Sequence, residues 1–342
     1  MQPHSSRPPM PAIVLAVLLL TACSGPPTSQ RADPSVSASE AAAMPSLTFA
    51  FAGETPVVTR QLAGHDERWM NPGAIIEHEG QLHMFANVFS QWPGQVAFPH
   101  LVSPDGASWT RAKSSPAFTS ADIPYVDNGA DVSAGYVAAD GTWVLVFETV
   151  ELSDPWVLGR ATAPGPDGPW TVDPEPILKP GPSGSWDSGG LQWPSVIQTD
   201  DGYLMYFTAI EGLGGRGSIG LATSPDGQTW TKHDEPVLSA ELDWERGQVD
   251  RPRVAVTPRG LAMIYAGGRL TDRGLAWSDD GVAWQRDGEL PVITRETFPI
   301  SGNAWDAALV YRDGALSYYL EIGSASGGSA STDVYLATAP LP

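Results

Sequence analysis

A chain of 342 residues with a formal charge of −20 and a single cysteine excludes several kinds of protein before any motif is read. Nineteen Lys and Arg against 39 Asp and Glu leave nothing to neutralise a phosphate backbone, so nucleic acid is not an expected partner, and strongly acidic polymers are disfavoured with it. One cysteine allows no disulfide framework and no Cys-based metal site, so the fold must be held by packing, for which 13 Trp and a 42% hydrophobic content are ample.

In chain order the first element is an export segment over residues 1–22. Arg7 precedes the apolar run Ala12 to Leu20, which is too short to span a bilayer, and Leu20-Thr21-Ala22-Cys23 follows. That ending resembles a bacterial lipoprotein signal, in which the cysteine is lipidated and becomes the new N-terminus; the alternative is a plain secretory signal with an incidental cysteine. Residues 23–46 are rich in Ser, Ala and Pro without apolar periodicity and read as a disordered tether. The expected address is the bacterial cell envelope outside the cytoplasm, with membrane contact through the lipid on Cys23 only and a monomeric folded part.

From residue 47 to 342 one phrase organises the chain. Ser103-Pro-Asp-Gly-Ala-Ser-Trp109, Pro164-Gly-Pro-Asp-Gly-Pro-Trp170, Ser224-Pro-Asp-Gly-Gln-Thr-Trp230 and Ser278-Asp-Asp-Gly-Val-Ala-Trp284 recur roughly every sixty residues, a spacing of propeller blades rather than of helical solenoids. In each copy Asp-Gly supplies the backbone angles of a tight hairpin and the Trp opens the next strand. Pro176-Ile-Leu178, Pro236-Val-Leu238 and Pro291-Val-Ile293 then read as outer strands with a proline-marked edge. Upstream of each phrase lie two apolar strands joined by a glycine turn, as in Ser195-Val-Ile197 to Gly202 to Tyr203-Leu-Met-Tyr-Phe207. Five such modules occur, the fifth without an outer strand. The predicted fold is therefore an all-β, five-bladed propeller of four-stranded blades in which Leu47 to Arg60 closes the last blade and removes an exposed edge.

In such a ring the starts of the inner strands and the loops near residues 87–97, 149–157, 209–217, 267–273 and 322–331 share one face, where variable loops on a rigid scaffold carry binding. Trp69, Trp92, Trp156, Trp186, Trp193, Trp244 and Trp305 fall near that face. They suit stacking on the apolar faces of sugar rings, or, for the four that open blades, wedging between blades. Acids gather there too. Asp131 and Asp250 stand ten residues before their turn glycines and Asp306 eight before its own, while Asp187 lies in the connector entering blade three. Glu148 and Glu321 end second strands. Carboxylates facing one another across a polar pocket are what glycosidic cleavage requires, one to protonate the leaving oxygen and another to activate water or attack. The histidines show no zinc-ligand spacing, and no cofactor is expected, although an axial calcium is compatible with the acids.

Over about residues 66 to 338 the chain resembles the five-bladed glycoside-hydrolase propellers. Trp69-Met-Asn-Pro-Gly73 is similar to the opening motif of the invertase and levanase group, and Asn71-Pro-Gly-Ala-Ile75 to the first-blade motif of the β-mannoside phosphorylases. The resemblance implies carbohydrate as substrate or ligand and carboxylate acid/base catalysis. Where the invertase-like motif carries its nucleophilic Asp this chain has Asn71 or a one-residue deletion, and Ala130-Asp131-Val132-Ser133 keeps only the acid of the phosphorylases' Glu-Asp-Pro-Arg. Asp250-Arg251-Pro252-Arg253 matches that phrase better, but in blade four. Its arginines either hold a ligand or neutralise acids. The expected catalytic set is Asp131 as acid with Asp187 or Asp250 as base or nucleophile. Trp69, Asn71, Trp92, Trp193, Arg251, Arg253, Trp305 and Asp306 are the expected substrate-binding residues. The alternative is a carbohydrate-binding lipoprotein without catalysis.

Overall fold

The structure is a computed structural model that describes residues 47–64, 68–151, 154–212, 214–324 and 331–341. The export segment, the tether and Cys23 lie outside the described residues. Five antiparallel four-stranded sheets form the blades of a propeller. Blade one comprises β2 (Trp69–His78), β3 (Gln81–Phe89), β4 (His100–Ser103) and β5 (Thr110–Arg111). Blade two comprises β6 (Ala130–Val137), β7 (Trp143–Thr149), β8 (Leu158–Ala163) and β9 (Thr171–Val172). Blade three comprises β10 (Gly190–Thr199), β11 (Gly202–Ile210), β12 (Gly217–Ser224) and β13 (Thr231–Lys232), and blade four β14 (Val249–Thr257), β15 (Gly260–Gly267), β16 (Arg273–Ser278) and β17 (Gln285–Arg286). Blade five runs β18 (Gly302–Arg312), β19 (Ala315–Ser324), β20 (Thr332–Pro340), and its outer strand is the N-terminal β1 (Ala50–Phe51), with Ala50 opposite Thr338. No helix among the described residues is long and apolar enough to cross a membrane.

Packing follows the ring. The buried side chains fall into five clusters, each filling the space between neighbouring blades; Phe85, Phe98, Trp143 and Phe147, for example, pack between blades one and two. His83 and His100 belong to this filling: their rings stack, Nδ1 of one lies 3.0 Å from Nε2 of the other, and burial lowers the pKa of His100 to about 4.

The repeated phrase has a mechanical reason. In three copies the Ser Oγ accepts the glycine N–H (Ser103 from Gly106 at 2.8 Å, Ser224 from Gly227 at 2.8 Å, Ser278 from Gly281 at 2.9 Å). The Asp Oδ1 accepts two further N–H groups, as Asp105 does from Ala107 and Ser108 at 2.9 and 2.7 Å. Each glycine has positive φ, at 77°, 69° and 77°. Each glycine carbonyl then accepts a tyrosine hydroxyl from the preceding blade: Tyr319 to Gly106 at 2.9 Å, Tyr136 to Gly227 at 3.3 Å and Tyr206 to Gly281 at 2.8 Å. The turn latches blade to blade.

One expectation is corrected. The outer strands are the two residues after each phrase Trp, not the Pro-Ile-Leu type segments, which add a single bridge each to the third strand, such as Leu178 to Leu158.

Candidate active site

The inner strand of every blade carries one residue more than its partner at the same level. The extra length falls between Asn71 and Ala74, Val132 and Ala134, Gln192 and Ser195, Asp250 and Arg253, and Ala304 and Ala307. Such bulges re-aim side chains and release the ladder amide, which is why Pro72, Pro194 and Pro252 are tolerated inside axial strands. Trp193 and Arg251 sit in these bulges with φ of 49° and 52°. A non-glycine residue in that region costs about 1–3 kcal/mol, a strain that clusters at functional sites.

Around the bulges opens a cavity of about 300 Å³ lined by Trp69, Asn71, Phe89, Trp92, Asp131, Trp156, Trp193, Arg251, Trp305, Asp306 and Glu321. A larger hollow of about 570 Å³ lies at the opposite end of the axis, among Ile75, Val137, Val196 and Val256. Its one carboxylate, Glu77, is half exposed and faces Arg312 at 3.6 Å. Of these two hollows, the smaller is the one in which several acids meet: Asp131, Asp306 and Glu321.

One wall is aromatic. Trp69 and Phe89 have ring centres 5.8 Å apart, Phe89 and Trp92 5.1 Å, Trp92 and Trp156 6.4 Å, and Trp156 and Trp193 6.4 Å. The Arg251 guanidinium lies 3.6 Å from the Trp193 ring centre. Trp156 is held by its Nε1–H to the Glu151 carbonyl at 2.8 Å and by its own carbonyl, which accepts from Leu191 N–H at 2.9 Å. Of the four tryptophans that open blades, Trp69 and Trp305 line the cavity. Trp186 and Trp244 instead stack on Phe207 and Tyr265 as blade wedges.

The floor is acidic. Asp131 faces Glu148 across β6 and β7; both are buried, and Asp131 Oδ1 and Glu148 Oε1 have no hydrogen-bond partner. Burial first, then the neighbouring Glu148, Asp306 and Glu321, push the Asp131 carboxyl well above the usual range. Burial and then Asp306 raise Glu148 to about 8, against the pull of Arg253 and of Ser133, whose hydroxyl donates to Glu148 Oε2 at 2.9 Å. Glu321 is pushed up to about 8, again chiefly by burial. Asp306 is different. Its Oδ1 accepts from Arg253 Nη2 at 2.6 Å and from Ala307 N–H at 2.8 Å, while Oδ2 has no partner.

Asn71, Asp131, Arg251, Asp306 and the tryptophans 69, 92, 193 and 305 are thus brought together as the sequence suggests, and three expected residues are not among them. Asp187 is buried outside the cavity, where it pairs with Lys232 of β13 and accepts from Ser185 Oγ at 2.6 Å.

Burial opposes ionisation of Asp187, but Lys232 and Ser185 outweigh it and hold the carboxyl below its ordinary value, so it is a fixed anion of the connector. Asp250 is buried beside the cavity without lining it, and Arg251 Nη1 holds it at 3.2 Å. Arg253 lies beneath the floor, where it neutralises Asp306 and donates to the carbonyls of Trp193 and Ala307. Glu321 and Trp156 line the cavity in their place, and Glu148 supports it from below. All three were visible as loop-face residues, but their convergence was not. Among the described residues no group of three or more His, Cys, Asp or Glu is placed to hold a metal ion.

No family model and no curated protein matches the sequence. Solved structures do match the fold. Zg3597, a family 117 glycoside hydrolase of the marine bacterium Zobellia galactanivorans, aligns with a TM-score of 0.65 at 15% identity over 86% of this chain and 90% of its own. A structure from the GH130 family of mannoside phosphorylases, which contains glycoside hydrolases that target β-1,2 mannosidic linkages in Candida mannan, aligns at 0.62 and 17% over 87% and 97%. A thermostable family-43 glycoside hydrolase aligns at 0.62 and 15% over 78% and 88%. The fold is that of the five-bladed glycoside-hydrolase propellers.

Proposed function

We propose that this protein is a glycoside hydrolase that works through Asp131 and Asp306. The observation that carries the reading is the contrast between two acids lining one cavity: Asp131 is buried without a cation bonded to it, and Asp306 is fixed by Arg253. Burial favours the protonated form of Asp131, the form that donates to a leaving glycosidic oxygen. Asp306 keeps Oδ2 unengaged, the atom left to take a proton from water or to attack the anomeric carbon. Asn71 and Arg251 would orient hydroxyls and Trp305 would stack on the ring, a reading supported by their lining the same cavity. The segment ending at Cys23 supports an extracytoplasmic, lipid-tethered location for the activity.

Release assays with aryl arabinosides, xylosides, fructosides and mannosides, with and without phosphate, test the proposal. Asp131→Asn should lower kcat by about a hundredfold or more while the thermal transition is kept, and Asp306→Asn should lower it as much with a reduced transition, because Arg253 loses its buried partner. Undiminished rates would remove the assigned roles. Asn71 in place of a first-blade acid favours the second reading, a carbohydrate-binding propeller; saturable binding without turnover by the wild-type protein would establish it.

A further inference from the structure

Six of the eleven residues that line the cavity are aromatic, more than a single sugar ring can use. Sugars stack by laying a flat C–H face parallel to one ring. Here the rings form a curved cage instead: successive planes meet at 36°, 45°, 71° and 60° along Trp69, Phe89, Trp92, Trp156 and Trp193. Such a concave series presents ring faces and edges to a compact apolar group, the arrangement in which aromatic pairs gain most. Two features show that the cage is built. Trp193 is held in a left-handed backbone conformation, and the guanidinium of Arg251, itself at φ 52°, covers one face of its ring. Trp92 is 40% exposed, an unusual degree for so large an apolar side chain on a rim. The polar lining residues come from several blades: Asn71 from blade one, Asp131 from blade two, Arg251 from blade four, and Asp306 and Glu321 from blade five. A volume of about 300 Å³ is at the small end of ligand sites.

Resting on the hydrolase reading, we propose that the substrate is a small glycoside of an apolar, aryl-type aglycone rather than a polysaccharide. The sugar occupies the acidic floor, and the aglycone occupies the cage formed by Phe89, Trp92, Trp156 and Trp193.

Calorimetry on Asp131→Asn protein tests this without turnover. Methyl and phenyl glycosides of arabinofuranose, xylopyranose, fructofuranose and mannopyranose are compared, together with the matching trisaccharides. For each sugar that binds, phenyl should improve Kd about tenfold or more over methyl, the order expected from one or two added aromatic contacts. Trp92→Ala and Trp156→Ala should each reduce that preference to about threefold or less. Trp92 is the safer of the two for folding, because its side chain is already exposed. Equal affinity for methyl and phenyl glycosides, tighter binding of the trisaccharides, or no saturable binding of any phenyl glycoside would overturn the proposal. Absence of turnover in the wild-type protein would count against the hydrolase reading alone, since the preference is read from Kd.

Discussion

Individual acids decide how this molecule responds to pH. Glu148 and Glu321 titrate near 8 in the folded state against an ordinary value of 4.5, so between these limits the native protein holds more protons than the unfolded chain. Stability from these groups is therefore complete below about pH 4.5 and is lost as pH rises through 8. Asp105, held near 2 by the N–H groups of Ser108 and Ala107, works in the opposite sense and loses its contribution only in strong acid. Thermal melts should thus show a higher Tm at pH 5 than at pH 8.5, and Glu148→Gln or Glu321→Gln should flatten that slope. A Tm that climbs steadily to pH 8.5 would contradict the assignment. Single residues were also where the sequence misled: nothing in Asp187 itself reveals that Lys232, 45 positions later, captures it.

At the scale of elements, the Asp-Gly turn is both hairpin and latch. Adding a Cβ at Gly227 would bring it to 2.3 Å from the Tyr136 hydroxyl, in a backbone conformation of φ 69°. Gly227→Ala should lower stability by about 1–3 kcal/mol in urea titrations, and Tyr206→Phe by about 0.5–1.5 kcal/mol. The turns were legible because their requirement is local: four residues state the whole hairpin. The bulges were not. A strand read by alternation loses its in-and-out count at an inserted residue, so Asp131 and Asp250, ten residues from their glycines, do not end in equivalent places. Asp131 lines the cavity, whereas Asp250 lies beside it with Arg251.

For the whole molecule, closure rests on very few residues. β1 contributes two residues to blade five, and Val58 adds one bridge to Val334. A chain starting at residue 60 would leave β20 as a bare edge, and such edges recruit other chains. It should melt at lower temperature and run as larger species in size-exclusion chromatography, while the full chain does not change with concentration. That the ring closes this way was readable from the missing fifth outer strand, since a sheet edge demands a partner wherever it comes from. Which acids would face one another across the axis was not, because that depends on contacts between residues from all five blades.

Arg253 gives the ring a further property. From blade four it reaches the Trp193 carbonyl of blade three and Asp306 and Ala307 of blade five, and only about 50 Å³ of space remains around it among Ser133, Ser195 and Val254. The arginine thus ties blades three, four and five together at one point. Loss of this one side chain would therefore loosen three blades together.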